Sequence, residues 1–431
     1  MTTTKNNEHK ELNFSSEREQ SQACLNSAEH EKNQGRKVLN VPNLRFPEFQ
    51  GEWEKCVLEN LSTEIGDGIH ATPLYDDNGT YYFVNGNNIS EYGITVTPTT
   101  QRVTEAEAYR NNANILCSKT ILLSINGTIG NVALYKGEPI MLGKSACYIN
   151  VSTKVNKDYI FHYLMMPKCQ FYFTSELTGT TIKNLSLKSV RRTKVSLPNL
   201  KEQNRIAQLF DAINERIVTQ NKIIEDLKKL KSSIIDYAIN SLDTDFAKFG
   251  SLYEKAGEGG TPTTSNASFY DNGKIPFIKI DDLKKKYLTE NNDFITELGL
   301  QKSSAWLVPT RSILFSNGAT IGEITITTYP VCTKQGILGI VPKPNIDVEF
   351  LYYFMSSSYF KKAVSRIVTE GTMKTVYLKD INNIRCPIPT KEKQLDIAKM
   401  PSALNSKIDF EQSILKLFGS QKQYLLRQMF M

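Results

Sequence analysis

Two stretches of this chain gather the residue types that hold anions. The turn Ser124-Ile125-Asn126-Gly127-Thr128-Ile129-Gly130 follows the apolar run Ile121-Leu122-Leu123. Further on, Leu177 to Lys201 carries Lys183, Lys188, Arg191, Arg192, Lys194 and Lys201 with no Asp or Glu, interleaved with Thr180, Thr181, Asn184, Ser186 and Ser189. Cations mixed with small hydroxyl and amide donors are what a phosphate-contacting surface uses, and the Gly179-Thr180 step lets backbone amides come close to an anion. The combination occurs again: Ser316-Asn317-Gly318-Ala319-Thr320-Ile321-Gly322 follows Ile313-Leu314-Phe315. Beyond it lie Gly371-Thr372 and Lys361, Lys362, Arg366, Lys374, Lys379 and Arg385, against only Glu370 and Asp380. The candidate contact residues are Asn126, Thr128, Lys144, Thr180, Lys183, Asn184 and Lys188 in the first set and Asn317, Thr320, Lys334, Thr372, Lys374 and Lys379 in the second. For any one lysine a solvated basic face is the simpler reading. The Asn-Gly steps also read as hairpin turns, and Lys144 and Lys334 as strand-surface residues. Recurrence of the whole set is what points to binding.

Marks of catalysis are missing. There is no Gly-rich loop ending in Gly-Lys-Ser/Thr, no GxGxxG after a strand, no HExxH and no Cys/His cluster at metal spacing. The four histidines, His9, His30, His70 and His162, include two in a polar leading segment and none placed as a general base. An Asn/Asp-Pro-Pro-aromatic motif for methyl transfer to an exocyclic amine is absent as well. The expectation is a chain without catalytic centre, metal or cofactor of its own. With 52 Lys plus Arg against 45 Asp plus Glu, the net charge of +7 suits nucleic acid without requiring it. Seven scattered cysteines suggest reduced thiols in a cytoplasm. No signal peptide and no 18-residue apolar run are present, so a soluble cytoplasmic protein away from membranes is expected.

The two binding stretches belong to a duplication. Leu61, Gly66 and Gly68 return as Leu252, Gly257 and Gly259, and Pro198, Gln203, Ile206 and Ala207 return as Pro389, Gln394, Ile397 and Ala398, all at an offset of 191. A repeat this long is a whole domain rather than a solenoid unit. Residues 1–40 are polar enough to read as a flexible tail. Residues 41–200 and 243–390 read as two similar β-rich domains with short strands broken by turns, each with an aromatic-rich helix, at Tyr159 to Phe173 and Phe350 to Val364. Those aromatics are expected in the cores.

After each domain the texture changes to helix. Over residues 201–242 apolar residues recur every three or four positions: Ile206, Leu209/Phe210, Ile213, Ile217, Ile223/Ile224, Leu227, Leu230, Ile234 and Tyr237. Over 391–431 the counterpart carries Ile397, Leu404, Ile408, Ile414/Leu415, Phe418 and Leu425, and Glu411 falls where Gln220 interrupts the first series. A helix of about 60 Å follows for the first at 1.5 Å per residue. Pro401 and Gly419 predict a kink or delayed start and weakened helicity in the second. Two such stripes are covered most simply by antiparallel packing on each other, giving an α+β chain: two similar β-rich globular domains separated by two long antiparallel helices that form a coiled-coil spacer with pseudo-twofold symmetry.

In this order the motifs resemble the specificity subunit of a Type I restriction-modification system. The resemblance covers residues 41–431 and rests on Val41-Pro42-Asn43-Leu44-Arg45-Phe46-Pro47-Glu48-Phe49 with Trp53, the paired turns, the Gly-Thr steps and the Pro-x4-Gln-x2-Ile-Ala that opens each long helix. It implies two target recognition domains, each reading half of an interrupted double-stranded DNA site, and a helical spacer that docks two modification (methyltransferase) subunits and restriction (translocase/nuclease) subunits. S-adenosylmethionine, ATP and Mg would reside on those partners. The alternative from the residues is a non-catalytic protein-binding adaptor with duplicated β-rich domains and a coiled coil, which the basic stretches do not favour.

Overall fold

The computed structural model describes residues 39–431 apart from Tyr92, Asn112, 180–182, Ala319 and 370–373. The expected flexible tail up to residue 38, Thr180 and Thr372 therefore lie outside the described residues. The described residues divide into two compact units, 39–213 with 420–431 and 214–419.

Each unit is built on an antiparallel sheet that repeats in register. In the first unit the strand order is Ser62–Asp67, Ala146–Val151, Thr120–Ser124, Val132–Leu134. In the second it is Tyr253–Glu258, Ile337–Pro342, Ile313–Ser316, Ile324–Thr327, with Tyr287–Leu288 added in parallel at the edge. Ile149 opposes Ile65 and Ile121, just as its counterpart Ile340 opposes Ala256 and Ile313. The central strands are buried along their whole length, which is why they read as continuous apolar runs rather than alternating ones. One core site is filled differently in the two copies. In the first unit the Tyr148 ring covers Gly66; in the second, Gly339 stands in place of Tyr148 and Trp306 fills the space over Gly257 and Gly339.

The single aromatic helix expected in each domain is two helices. Lys157–Met165 is followed by Pro167–Ser175, and Val348–Ser356 by Ser358–Ser365. In the first pair Pro167 forces Met166 into extended backbone (ψ 146°). In the second, Ser357 is extended and caps the new helix by accepting from the Phe360 amide. The aromatics do fill cores: Tyr159, Phe173, Phe350, Phe354 and Phe360 are all buried, while Phe171 faces solvent.

The long helices run Leu200–Asn240 and Lys391–Met429, 41 and 39 residues. No delayed start occurs at Pro401, because the first turn is anchored upstream of it. Gln394 donates to the Pro389 and Asn345 carbonyls and accepts from the Asp347 amide, and Ile397 and Ala398 are buried in the second core. Gln203 does the same in the first unit, donating to Pro198 and accepting from the Asn156 amide. Pro-x4-Gln is thus a clamp that ties the start of each long helix to the N-cap residue of a domain helix. In the first unit Arg45 adds a bidentate pair to buried Glu202, 2.7 Å on each arm, and Trp53 donates to the same carboxylate.

Within residues 214–419 the helices pack antiparallel. Gln220 donates to both the carbonyl and the carboxylate of Glu411, its own counterpart in the repeat, so the helices meet there about a local twofold. Eleven residues on, Lys231 Nζ reaches Asn405 Oδ1 at 3.0 Å. Of the expected seam residues, Ile206, Ile213, Ile217, Ile397 and Ile408 are buried, and Leu227, Ile234, Leu404, Phe418 and Leu425 are half-buried. With Phe210, Ile224 and Leu415 from the expected spacing, Lys231, Pro401 and Lys422 complete the series at alternating steps of four and three. Ile223, Leu230 and Tyr237 are not part of it; they lie one position off the seam, and Tyr237 is 77% exposed.

Partly buried polar pairs join helix to domain, and they differ between copies. In the first unit fully buried His162 pairs through Nε2 with Asp211 at 2.8 Å, while its Nδ1 has no partner among the described residues. In the second the counterparts are Tyr353 and Ser402, joined at 3.1 Å, with Lys286 buried beside them on Glu349 and Ser402. Burial lowers the His162 pKa from its ordinary 6.5 despite the opposing pull of Asp211 and Asp158, and Lys422 adds to the depression. A lowered folded-state value means that the unfolded chain takes up the proton first, so stability present above pH 6.5 declines below it. The melting temperature should fall between pH 7 and pH 5.5, and His162→Tyr/Asp211→Ser should flatten that slope; an unchanged slope would assign it to other groups. Gly419 lies inside the second long helix with open space where a Cβ would stand. Gly419→Ala should therefore stabilise by about 0.5–1 kcal/mol, seen as a rise of about 1–2 °C in a thermal melt.

Candidate nucleic-acid interface

The anion-holding stretches converge in each unit because the sheet brings their ends together. In the first unit the turn after Thr120–Ser124 is closed by Gly127 (φ +73°) and Gly130 (φ +91°), conformations that favour glycine. Ser124 Oγ donates to the Asn126 carbonyl and Thr128 Oγ1 to that of Gly86. Asn126 pairs with Asn184 in an isolated bridge, and the Leu185 amide donates to Ile125 at 2.9 Å. The neighbouring turn containing Lys144 is tied in by the Ile125 amide, which donates to Ser145. Lys144 and Lys183 are exposed around this junction, and Lys188 is exposed on the short helix Leu187–Arg191.

The second unit repeats the arrangement. The Asn317 amide donates to Gly336 at 3.0 Å, and the Val376 amide to Asn317 at 2.9 Å. Lys334, Lys374 and Lys379 are exposed, and Lys379 sits over the Tyr377 ring. None of these six lysines makes an ion pair among the described residues. An exposed lysine edge with no carboxylate partner, repeated beside the same braced turn, is suited to a polyanion.

Not all the expected contact residues present a free donor. Asn317 is 2% exposed and its amide group donates to the Val376 carbonyl. Thr128 lies on the surface, but its hydroxyl is engaged with Gly86, whereas Thr320 is exposed on its turn. Asn126, Asn184 and Asn317 each keep a buried side-chain oxygen without a partner among the described residues. These asparagines brace the turn against the lysine-bearing segment. Arg191 is likewise structural, donating to the Ile65 carbonyl at 2.7 Å. Sequence reading missed Asn85 and Ser145, which hold the Gly86 loop to the Lys144 turn: Ser145 donates to Asn85 Oδ1 and accepts from the Gly86 amide, both at 2.8 Å. Their only signal was a turn-like Asn-Gly at Asn85-Gly86. Among the described residues no group of His, Cys, Asp or Glu is placed to hold a metal ion, and no helix is long and apolar enough to cross a membrane.

The sequence profile described as "Type I restriction modification DNA specificity domain" matches residues 51–229 and again 243–417. The chain belongs to this family. Both matches contain one braced turn, one lysine edge and part of the long helix that follows. Among relatives, the chain is 23% identical over 400 residues to the putative Type I restriction enzyme MjaX specificity subunit of Methanocaldococcus jannaschii, covering 87% of this chain and 92% of the relative. It is 33% identical over 115 residues to the HindI specificity subunit of Haemophilus influenzae, 26% of this chain and 25% of the other. The Type I restriction-modification S subunit from M. genitalium superposes with a TM-score of 0.54 at 17% identity, over 91% of this chain and 99% of that one. The specificity-subunit fold, two β-rich recognition domains with long antiparallel helices, is therefore the fold of this chain.

Bracing and contact separate experimentally. Asn317→Ala should destabilise by about 1–3 kcal/mol, the cost of leaving its buried backbone partner unpaired. Replacing Lys144, Lys183 and Lys188 together by Gln should shift stability by no more than about 0.5 kcal/mol per site. Chemical denaturation of both variants checks this, and a large loss in the triple variant would make those lysines structural.

Proposed function

We propose that this chain is the DNA-reading subunit of a Type I restriction-modification assembly, with each recognition domain contacting one half of an interrupted double-stranded site. The observation that carries it is the repeated lysine edge beside a braced turn in two copies of a DNA specificity domain. Lys144, Lys183 and Lys188 in one domain and Lys334, Lys374 and Lys379 in the other approach the phosphates. Base edges are then read by neighbouring loops at about 1–3 kcal/mol per good bidentate pair. Because the copies differ in core and surface, the two half-sites differ.

The chain contributes recognition and no bond-breaking step. Modification subunits bring S-adenosylmethionine, restriction subunits bring ATP and Mg, and the long helices provide their docking surface. Support for the partners comes from the relatives, which are named as specificity subunits of restriction enzymes.

Salt dependence tests the reading. If the six lysines neutralise six phosphates, the slope of log K against log salt is about −5, and affinity for a duplex falls about 10³-fold between 50 and 200 mM salt. Changing Lys144, Lys183 and Lys188 to Gln should make that slope shallower by about 3, one unit per lysine, in a fluorescence-anisotropy titration. Duplex binding that is absent both with and without a co-expressed modification subunit would sink the proposal in favour of a protein-binding adaptor.

A further inference from the structure

The two recognition domains differ sharply at one place under the braced turn. In the first, Gln170 closes the space: its amide donates to the carbonyls of Gly130, in the turn, and Leu164, in the neighbouring helix, at 2.9 and 2.8 Å. A Cβ on Gly130 would strike the Gln170 side chain. The counterpart of Gln170 in the repeat is Lys361, which is exposed, and a Cβ on Gly322, the counterpart of Gly130, would meet nothing within 4 Å among the described residues. Phe173, buried in the first domain, is replaced by the smaller Val364. A cleft of about 420 Å³ is left open in the second domain, with Phe315, Met355, Phe360 and Val364 among its apolar walls and Lys361 and Lys374 as its cations.

We propose that this cleft is a binding site for a compact aromatic carboxylate. The volume lies within the range of small-molecule sites, and since a dry cavity of about 150 Å³ holds benzene, a fused two-ring body fits with room for its acid group. The walls desolvate the rings, while the two ammonium groups, which have no ion-pair partner among the described residues, meet the carboxylate. In the first domain Gln170 occupies the corresponding space. The proposal goes beyond DNA recognition and shares Lys374 with it, but binding is measured without DNA, so failure of one reading is distinguishable from failure of the other.

Isothermal titration of the full chain with 2-naphthoate tests it. Saturable 1:1 binding is expected, with the neutral isostere 2-naphthamide about tenfold weaker. Lys361→Gln/Lys374→Gln should weaken 2-naphthoate about tenfold, as two partly exposed charge pairs would. Ser365→Trp, which starts from an exposed cleft residue, should fill the space and abolish binding while circular dichroism and the thermal melt stay unchanged. No saturable binding to the unaltered chain, equal affinity for the amide, or undiminished binding by the Ser365→Trp chain would each overturn the assignment.

Discussion

The apolar stripes on two helices of 41 and 39 residues have to be kept from water, and most of the structure follows from how they are covered. At their middle they cover one another, in a seam interrupted by the Gln220–Glu411 layer. A slip of one heptad would set Gln220 against Leu404 or Phe418 and leave its amide without a partner, at a cost of about 1–3 kcal/mol. Aliphatic residues alone would tolerate several registers, so the polar layer supplies specificity rather than strength.

At their ends the stripes run into domain cores. Ile206, Ala207 and Phe210 pack with Leu426, Met429 and Phe430 in the first unit, and Ile235 and Ile239 with Ile397 and Ala398 in the second. The glutamine clamps then fix where each domain helix begins, and that helix lies against the sheet whose ends carry the braced turns. Placement of the lysine edges is thus inherited through buried contacts. A residue far from any phosphate, such as Gln203, bears on recognition by positioning.

Much of this was legible in the residues, because duplication shows in any sequence that holds its offset. The long helices were readable from their spacing, and the break at Met166 was available in Pro167. The break at Ser357 was not, since serine caps a helix only if the chain turns there. Lys231 and Lys422 escaped notice as seam residues because their charge conceals their place in the series; burial is offset by Asn405 for one and Glu91 for the other, partners distant in sequence. Pro401 misled in the opposite direction, since anchoring by Gln394, Ile397 and Ala398 outweighs one lost hydrogen bond. The division of labour within the turns was also hidden: Asn317 and Lys374 look equally suited to an anion in sequence, and only non-local pairing makes one a brace and the other an exposed cation.

Departures between the copies, Gln170 against Lys361 and His162–Asp211 against Tyr353–Ser402, are changes to the domain within a conserved geometry of helix and sheet. All of them assume the helix register set at Gln220 and Glu411. Cysteines placed at both positions, with exposed Cys117 replaced, test that register directly in dilute protein under mild oxidation. A high yield of intramolecular disulfide from the 220/411 pair and little from a 227/411 pair, one heptad away, is the predicted result. Equal yields, or linkage from 227/411 alone, would contradict the register and the account built on it.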